Sequence, residues 1–389
     1  MRQRIGGRAR GGRGRAGLVA TLLALAVLLA PPGTTQAHTC APDANVGVSG
    51  RLIMPRGSGL VSVELPSRET RVLPVLPAQG VTTGAARSVD GSLLAVPRFW
   101  RPPDHRVGGQ DILLVSPDGG APVQTLHRGQ PGEVLGAPAW LPDGSLVYER
   151  RILSGTEEAV NIERARPGDA PTVLAEKAGW PSVSPDGMLL VLVRSGDSER
   201  LLVKPIDGGP ERVLVDAPHL LSIAFPRFSP DGAWVAFTAA ADPSGAPVAR
   251  GRPVEAVPSE VGPDAAGGGE SALLRAPFAL APFSPTSLGL APFDDRLAGG
   301  PLRALAGRFD TRLVRAHGLP WDVWVVRPDG TDLRRVTAFA DDDSSAAWSP
   351  DSRWLATLSA EAVHVVALEG PENYCISGEG GYGALEWLP

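Results

Sequence analysis

Five copies of one short pattern constrain the fold of this chain more than any other feature. SVDGSLLAV (88–96), LPDGSLVYE (141–149), SPDGMLLVL (184–192), SPDGAWVAF (229–237) and SPDSRWLAT (349–357) each place a tight turn directly before alternating apolar residues. Proline presets φ at the first corner of such a turn, the Asp side chain bonds backbone N–H groups beyond it, and Gly accepts a positive φ. Each copy therefore predicts a β-hairpin whose Asp is structural. The aspartates stand at 90, 143, 186, 231 and 351, with intervals of 53, 43, 45 and 120 residues. Periods in the forties made of short strands predict a β-propeller with four strands, A to D, in each blade. The high content of turn formers, 47 Gly and 39 Pro in 389 residues, agrees with many short elements.

A second family of turns alternates with the first. LLVSPDGGAPVQTL (113–126), LLVKPIDGGPERVL (201–214) and VWVVRPDGTDLRRVT (323–337) read as C–D hairpins, and 61–73, 161–174 and 363–375 fit the same role less sharply. Six C–D hairpins face only five A–B hairpins. The missing strand A is supplied at the end of the chain, where GALEWLP (383–389) resembles GAPAWLP (136–142) but stops before its turn. The expected fold is thus an all-β, six-bladed propeller in which the C-terminal strand pairs with the N-terminal blade. Such closure leaves no blade edge unpaired.

The repeat, P-x-[FW]-S-P-D-G followed by an apolar strand and then D-G-G or D-G-T, resembles that of the TolB-type six-bladed propellers. The resemblance covers roughly 46–241 and 320–389 and is sharpest in RPDGTDLRRVT with AAWSPDSRWLA. It implies architecture. Such repeats serve in periplasmic scaffolds and as accessory propellers of oligopeptidases. The N-terminal α/β domain of TolB has no counterpart in this sequence, so TolB's partners are not implied.

Residues 1–37 differ from the rest. Six arginines without an acid precede the apolar run AGLVATLLALAVLLA (16–30), and Thr35 and Ala37 occupy the −3 and −1 positions of a cleavage site. This is the pattern of a secretory signal peptide, and 15 apolar residues are short for a bilayer span of about 20. The chain is expected to be periplasmic or extracellular, with no stable membrane span after cleavage and a tether to the membrane if the leader is retained. Losing the six arginines takes the formal charge from −5 to −11, which argues against nucleic acid as a partner. Cys40 and Cys375 are the two cysteines. Ring closure would bring their neighbourhoods together, compatible with a disulfide in an oxidising compartment.

Blade five departs from the repeat. About 80 residues rich in Pro, Gly and Ala (242–320) separate its strands B and C, and APF recurs with Phe278, Phe283 and Phe293. The composition reads as a mobile linker and a tolerated surface insertion, with the three Phe as candidate docking points. In an up-and-down blade the insertion shares a face with the long B–C loop carrying Trp100, Arg101 and His105, and with the D–A connection carrying Asp341, Asp342 and Asp343. This loop-rich face is the candidate binding face for a protein, peptide or glycan. The three aspartates could offer oxygen ligands to a hard cation such as Ca²⁺, with Glu133 and Asp216 as companions, although consecutive acids more often form a solvated turn. No cofactor is otherwise called for. The sequence holds no G-x-S-x-G elbow, H-E-x-x-H pair or phosphate loop. A non-enzymatic binding scaffold is therefore expected, the alternatives being a metal-assisted hydrolase or lyase of the six-bladed kind and an accessory propeller to a separate peptidase.

Overall fold

The computed structural model describes residues 40–76, 80–101, 108–126, 130–154, 157–195, 199–217, 219–241, 321–339, 341 and 344–389. Among these the regular elements are all strands. In chain order they are β1 (Gly50–Arg56), β2 (Gly59–Leu65) and β3 (Thr70–Leu73); β4 (Val81–Thr82), β5 (Ala86–Arg87), β6 (Leu94–Trp100), β7 (Gly109–Val115) and β8 (Gln124–Leu126). Then follow β9 (Glu133–Trp140), β10 (Leu146–Ser154), β11 (Glu157–Ala165) and β12 (Thr172–Glu176); β13 (Ala178–Val183), β14 (Leu189–Arg194), β15 (Arg200–Pro205) and β16 (Arg212–Val215). The last are β17 (Leu220–Phe228), β18 (Val235–Ala241), β19 (Trp321–Val326) and β20 (Arg334–Arg335); β21 (Ser345–Trp348), β22 (Trp354–Leu358), β23 (Val363–Ala367) and β24 (Asn373–Ser377); and β25 (Glu386–Leu388).

Consecutive strands pair as antiparallel meanders. β13–β16, β17–β20 and β21–β24 each form a four-stranded sheet, and β25 joins β1–β3 in another. The sets β4–β8 and β9–β12 are meanders linked at one point, where Gln110 of β7 lies parallel to Val134 of β9. β25 runs antiparallel to β1, with Arg51 opposite Leu388 and Ile53 opposite Glu386.

The local cause of these meanders is the turn chemistry. In the Ser-Pro-Asp-Gly copy at 229–232, Ser229 Oγ donates to Asp231 Oδ1 (2.6 Å) and accepts from the N–H of Trp234 (2.9 Å), while Asp231 Oδ1 accepts from the N–H of Ala233 (3.0 Å). The same three bonds recur around Ser88, Ser184 and Ser349. Gly232 takes φ of 71°, as the turn requires, and Ser352 takes 61° at the equivalent place in the copy that lacks the glycine. Bonds from Ser88 and Ser92 hold the Asp90 carboxyl down at about 2. Asp90 therefore stays charged and bound to its turn across the physiological range.

The apolar faces of successive sheets pack on each other. Val191, Val203 and Val215 of the β13–β16 sheet meet Ile223, Phe237 and Trp324 of the next. Trp234 and Val325 meet Trp348 and Leu355 in turn. Leu358, Val363 and Ile376 of the β21–β24 sheet pack with Leu52, Val63 and Trp387 of the sheet holding β1 and β25. That sheet then buries Ile53, Leu60 and Leu73 against Leu94, Val96 and Leu113. Fully buried side chains of this size each contribute about 1.5–3 kcal/mol relative to exposure. Two tryptophans also tie sheets together by hydrogen bonds, Trp348 Nε1 to Arg227 O and Trp140 Nε1 to Ala86 O, both at 3.0 Å.

Cys40 and Cys375 form a disulfide, with Cα atoms 6.0 Å apart. Beside it Asp43 N–H donates to Cys375 O (2.9 Å) and Cys375 N–H donates to Asp43 Oδ2 (2.6 Å). These bonds lay the segment before β1 along β24.

Candidate functional site

Strands of several sheets converge on a narrow cavity of ≈ 60 Å³, whose walls include Thr83, Gln110, Glu149, Trp180, Phe225 and Arg227. Three of these strands share a local distortion. In β9, β13 and β17 the residue before a proline adopts a left-handed conformation: Ala137 (φ 46°), Trp180 (φ 54°) and Phe225 (φ 51°). Each proline, at 138, 181 and 226, stands five residues before a turn aspartate. The strand ladder slips at the same places, between Val147 and Glu149, Gly179 and Ser182, and Ala224 and Arg227. Left-handed backbone costs an L-residue roughly 1–2 kcal/mol, so the surroundings must hold it. At Trp180 that support is Glu149, whose Oε2 accepts the Trp180 N–H at 2.9 Å. A Cβ on Gly179 would come within 2.4 Å of the same oxygen, so a larger residue there would displace the Glu149 carboxylate. The bulges bring the Trp180 and Phe225 rings together, centroids 4.4 Å apart and tilted 51°.

Charged groups around the cavity are already paired. Arg151 holds Glu149 Oε1 through Nε (3.0 Å) and Nη2 (2.7 Å), and also bonds Glu158. Arg227 reaches across from β17 to Glu386 of β25 at 2.6 Å and to the carbonyl of Leu385 at 3.2 Å. Farther along β10, Arg150 bonds Glu133 and lies 3.2 Å from Glu163, which also accepts from the Tyr148 hydroxyl. Burial pushes the Glu199 carboxyl above its ordinary range, although the Ile223 N–H and Ser222 hydroxyl bond it. A second, more open groove of ≈ 510 Å³ is lined by Asp143, Arg164, Arg166 and Lys204. There both arginines turn back onto Asp143.

The residues singled out in the sequence are distributed as follows. Trp100 ends β6, half-buried and opposite Gly109, the neighbour of Gln110, and Arg101 beyond it is exposed. His105, Phe278, Phe283, Phe293, Asp342 and Asp343 lie outside the described residues, as do 1–39 and 242–320. Asp341 is buried, and its carbonyl accepts the Trp321 N–H at 2.9 Å, fastening the start of β19. Glu133 is committed to Arg150, and Asp216 lies 3.4 Å from Arg200. Among the described residues no group of three or more His, Cys, Asp or Glu is placed to hold a metal ion. Sequence reasoning missed Gln110, Glu149, Trp180 and Phe225. The one available signal was the x-Pro pair recurring five residues before the turn Asp.

The fold is a TolB-like β-propeller. Among solved structures the chain is similar to TolB from Acinetobacter baumannii, with a TM-score of 0.52, 13% identity, and 87% of this chain and 67% of that chain covered. It is also similar to a putative TolB from Agrobacterium tumefaciens, with a TM-score of 0.46, 15% identity, and 88% and 100% covered. An oligogalacturonate lyase in complex with manganese follows, with a TM-score of 0.42, 12% identity, and 81% and 69% covered. No protein-family model and no curated protein sequence matches. At such identities the likeness speaks for the fold alone. No helix among the described residues is long and apolar enough to cross a membrane.

Proposed function

We propose that this chain is an exported, six-bladed propeller scaffold, sealed by the pairing of β25 with β1, which binds a protein, peptide or glycan through its loop-rich face. Residues 1–37 would direct export, and the insertion at about 242–320 would contribute to the face together with Trp100, Arg101, His105 and the 341–343 turn. The observation that carries the reading is the character of the central cavity beside Trp100. Its walls are aromatic rings, prolines and an amide, and its carboxylates and arginines are held by one another. Such a lining suits contact with a ligand, since its carboxylates are already taken up by arginines. The cyclic order of the packed sheets, with the last sheet on the first, supports the six-bladed ring.

The test is capture of partners from the exported fraction by three full-length baits: the wild type, a chain lacking 243–318, and Arg101→Glu. A partner of this face should be retained fivefold less or worse by at least one altered bait, as for a residue worth more than about 1 kcal/mol at an interface. A partner set identical for all three would overturn the assignment of the face.

A further inference from the structure

The open groove between the β9–β12 and β13–β16 sheets holds more positive charge than the carboxylate it contacts can take up. At ≈ 510 Å³ it is the size of a small-ligand site, and it is walled by the edge strand β12 and three tight turns. Those turns carry Asp143, Asp169 and Asp207, and they join strands A to B or C to D. The loop-rich face is built from the other connections, so the groove is a separate surface.

Arg164 Nη2 (2.7 Å) and Arg166 Nη2 (3.2 Å) both bond Asp143 Oδ2, and Arg166 Nη2 also bonds the Asp143 carbonyl (2.7 Å). The hydroxyl and N–H of Ser145, with Arg164, hold the Asp143 carboxyl down at about 2. One negative charge therefore serves two guanidiniums. Lys204 Nζ donates to the carbonyl of Leu174 at 2.9 Å and pairs with no carboxylate among the described residues. The arginine side chains are 33% and 53% exposed, so a ligand in the groove can reach them. Neither Nη1 group has an acceptor among the described residues. Asp169 and Asp207 are exposed on the rim, and neither is paired with any of the three cations. They oppose an anion without neutralising the groove.

The layout selects among anions. Arg164 lies opposite Thr172 across β11 and β12, and Lys204 meets β12 at Leu174, two residues farther on. The two anchor points are thus roughly 7 Å apart along the strand, a distance that a four-carbon dicarboxylate spans and a phosphate does not. Between them stands Val173, 48% exposed, which offers apolar contact to a carbon chain. Guanidinium N–H groups also match carboxylate geometry.

We propose that this groove binds a small aliphatic dicarboxylate, one carboxylate held by Arg164 and Arg166, the other by Lys204, and the carbon chain lying against Val173.

The test is calorimetric titration of the full chain at neutral pH and low salt with three probes. Succinate is the dicarboxylate, butanoate has the same carbon count with one charge, and inorganic phosphate has charge without a carbon chain. Wild type should bind succinate saturably and about tenfold more tightly than either of the others. Lys204→Met, which keeps the stem and removes the charge, should lose about tenfold for succinate. Asp169→Asn/Asp207→Asn should gain about threefold, because two opposing charges are gone. That variant reports even if Lys204→Met folds poorly, and a groove with no ligand role would show no gain. Four results would overturn the proposal: no saturable succinate binding by wild type, butanoate or phosphate bound as tightly as succinate, full succinate affinity in Lys204→Met, or no gain in the double aspartate variant.

Discussion

Arg150→Ala is expected to cost about 3–5 kcal/mol of folding free energy, which chemical denaturation followed by far-UV circular dichroism measures directly. Arg150 projects from β10 between two carboxylates whose side chains are 8% and 3% exposed, Glu133 on β9 and Glu163 on β11. Two N–H groups of Arg150 donate to Glu133 Oε1, and with a 3.2 Å contact to Glu163 they balance the cost of burying both. Without the guanidinium, two buried negative charges face each other across three strands, and removing one partner of a buried pair is costlier than removing the whole group. Recovery should follow from that argument. Adding Glu133→Gln and Glu163→Gln to Arg150→Ala should regain a substantial part of the loss, because the two carboxylates that faced Arg150 are then neutral amides. Equal stability of the single and triple variants would show that the arginine acts by packing its stem and not by pairing.

The second large effect belongs to the disulfide. Cys40 and Cys375 are 335 residues apart in sequence, so their bond closes nearly the whole described chain. Restricting so long a loop in the unfolded ensemble is worth about 2–5 kcal/mol. A Cys40→Ser/Cys375→Ser variant should lose that amount, and dithiothreitol should lower the stability of wild type to the same level while leaving the variant unchanged. The native neighbourhood of the bond does not depend on it alone, because Asp43 and Cys375 are joined by two further hydrogen bonds. The variant is therefore expected to keep its fold at moderate temperature. A wild type indifferent to reductant would contradict the expectation.

What could be read from the sequence was what local chemistry determines. Ser-Pro-Asp-Gly makes its turn with atoms no more than five residues apart, such as the bond from the Trp234 N–H to Ser229 Oγ, so each hairpin was visible in isolation. The terminal strand was visible because GALEWLP copies GAPAWLP, and β25 does pair with β1. The central cavity was hidden because its determinants are distant in sequence. Glu149 supports Trp180 from 31 residues away, Arg227 reaches Glu386 across 159, and Gln110 holds Thr83 across 27. Nor could periodicity reveal the bulges. Ala137, Trp180 and Phe225 occupy positions that alternate normally, and only the structure shows their backbone turned left-handed.

Hydrogen exchange on the intact chain tests the ring most directly. If β25 seals the sheet, the strand amides within Glu386–Leu388 and those of β1 that face them should exchange as slowly as amides in the middle of β14. Exchange of 386–388 within seconds, as in a frayed tail, while 189–194 stays protected, would mean that the two ends do not meet.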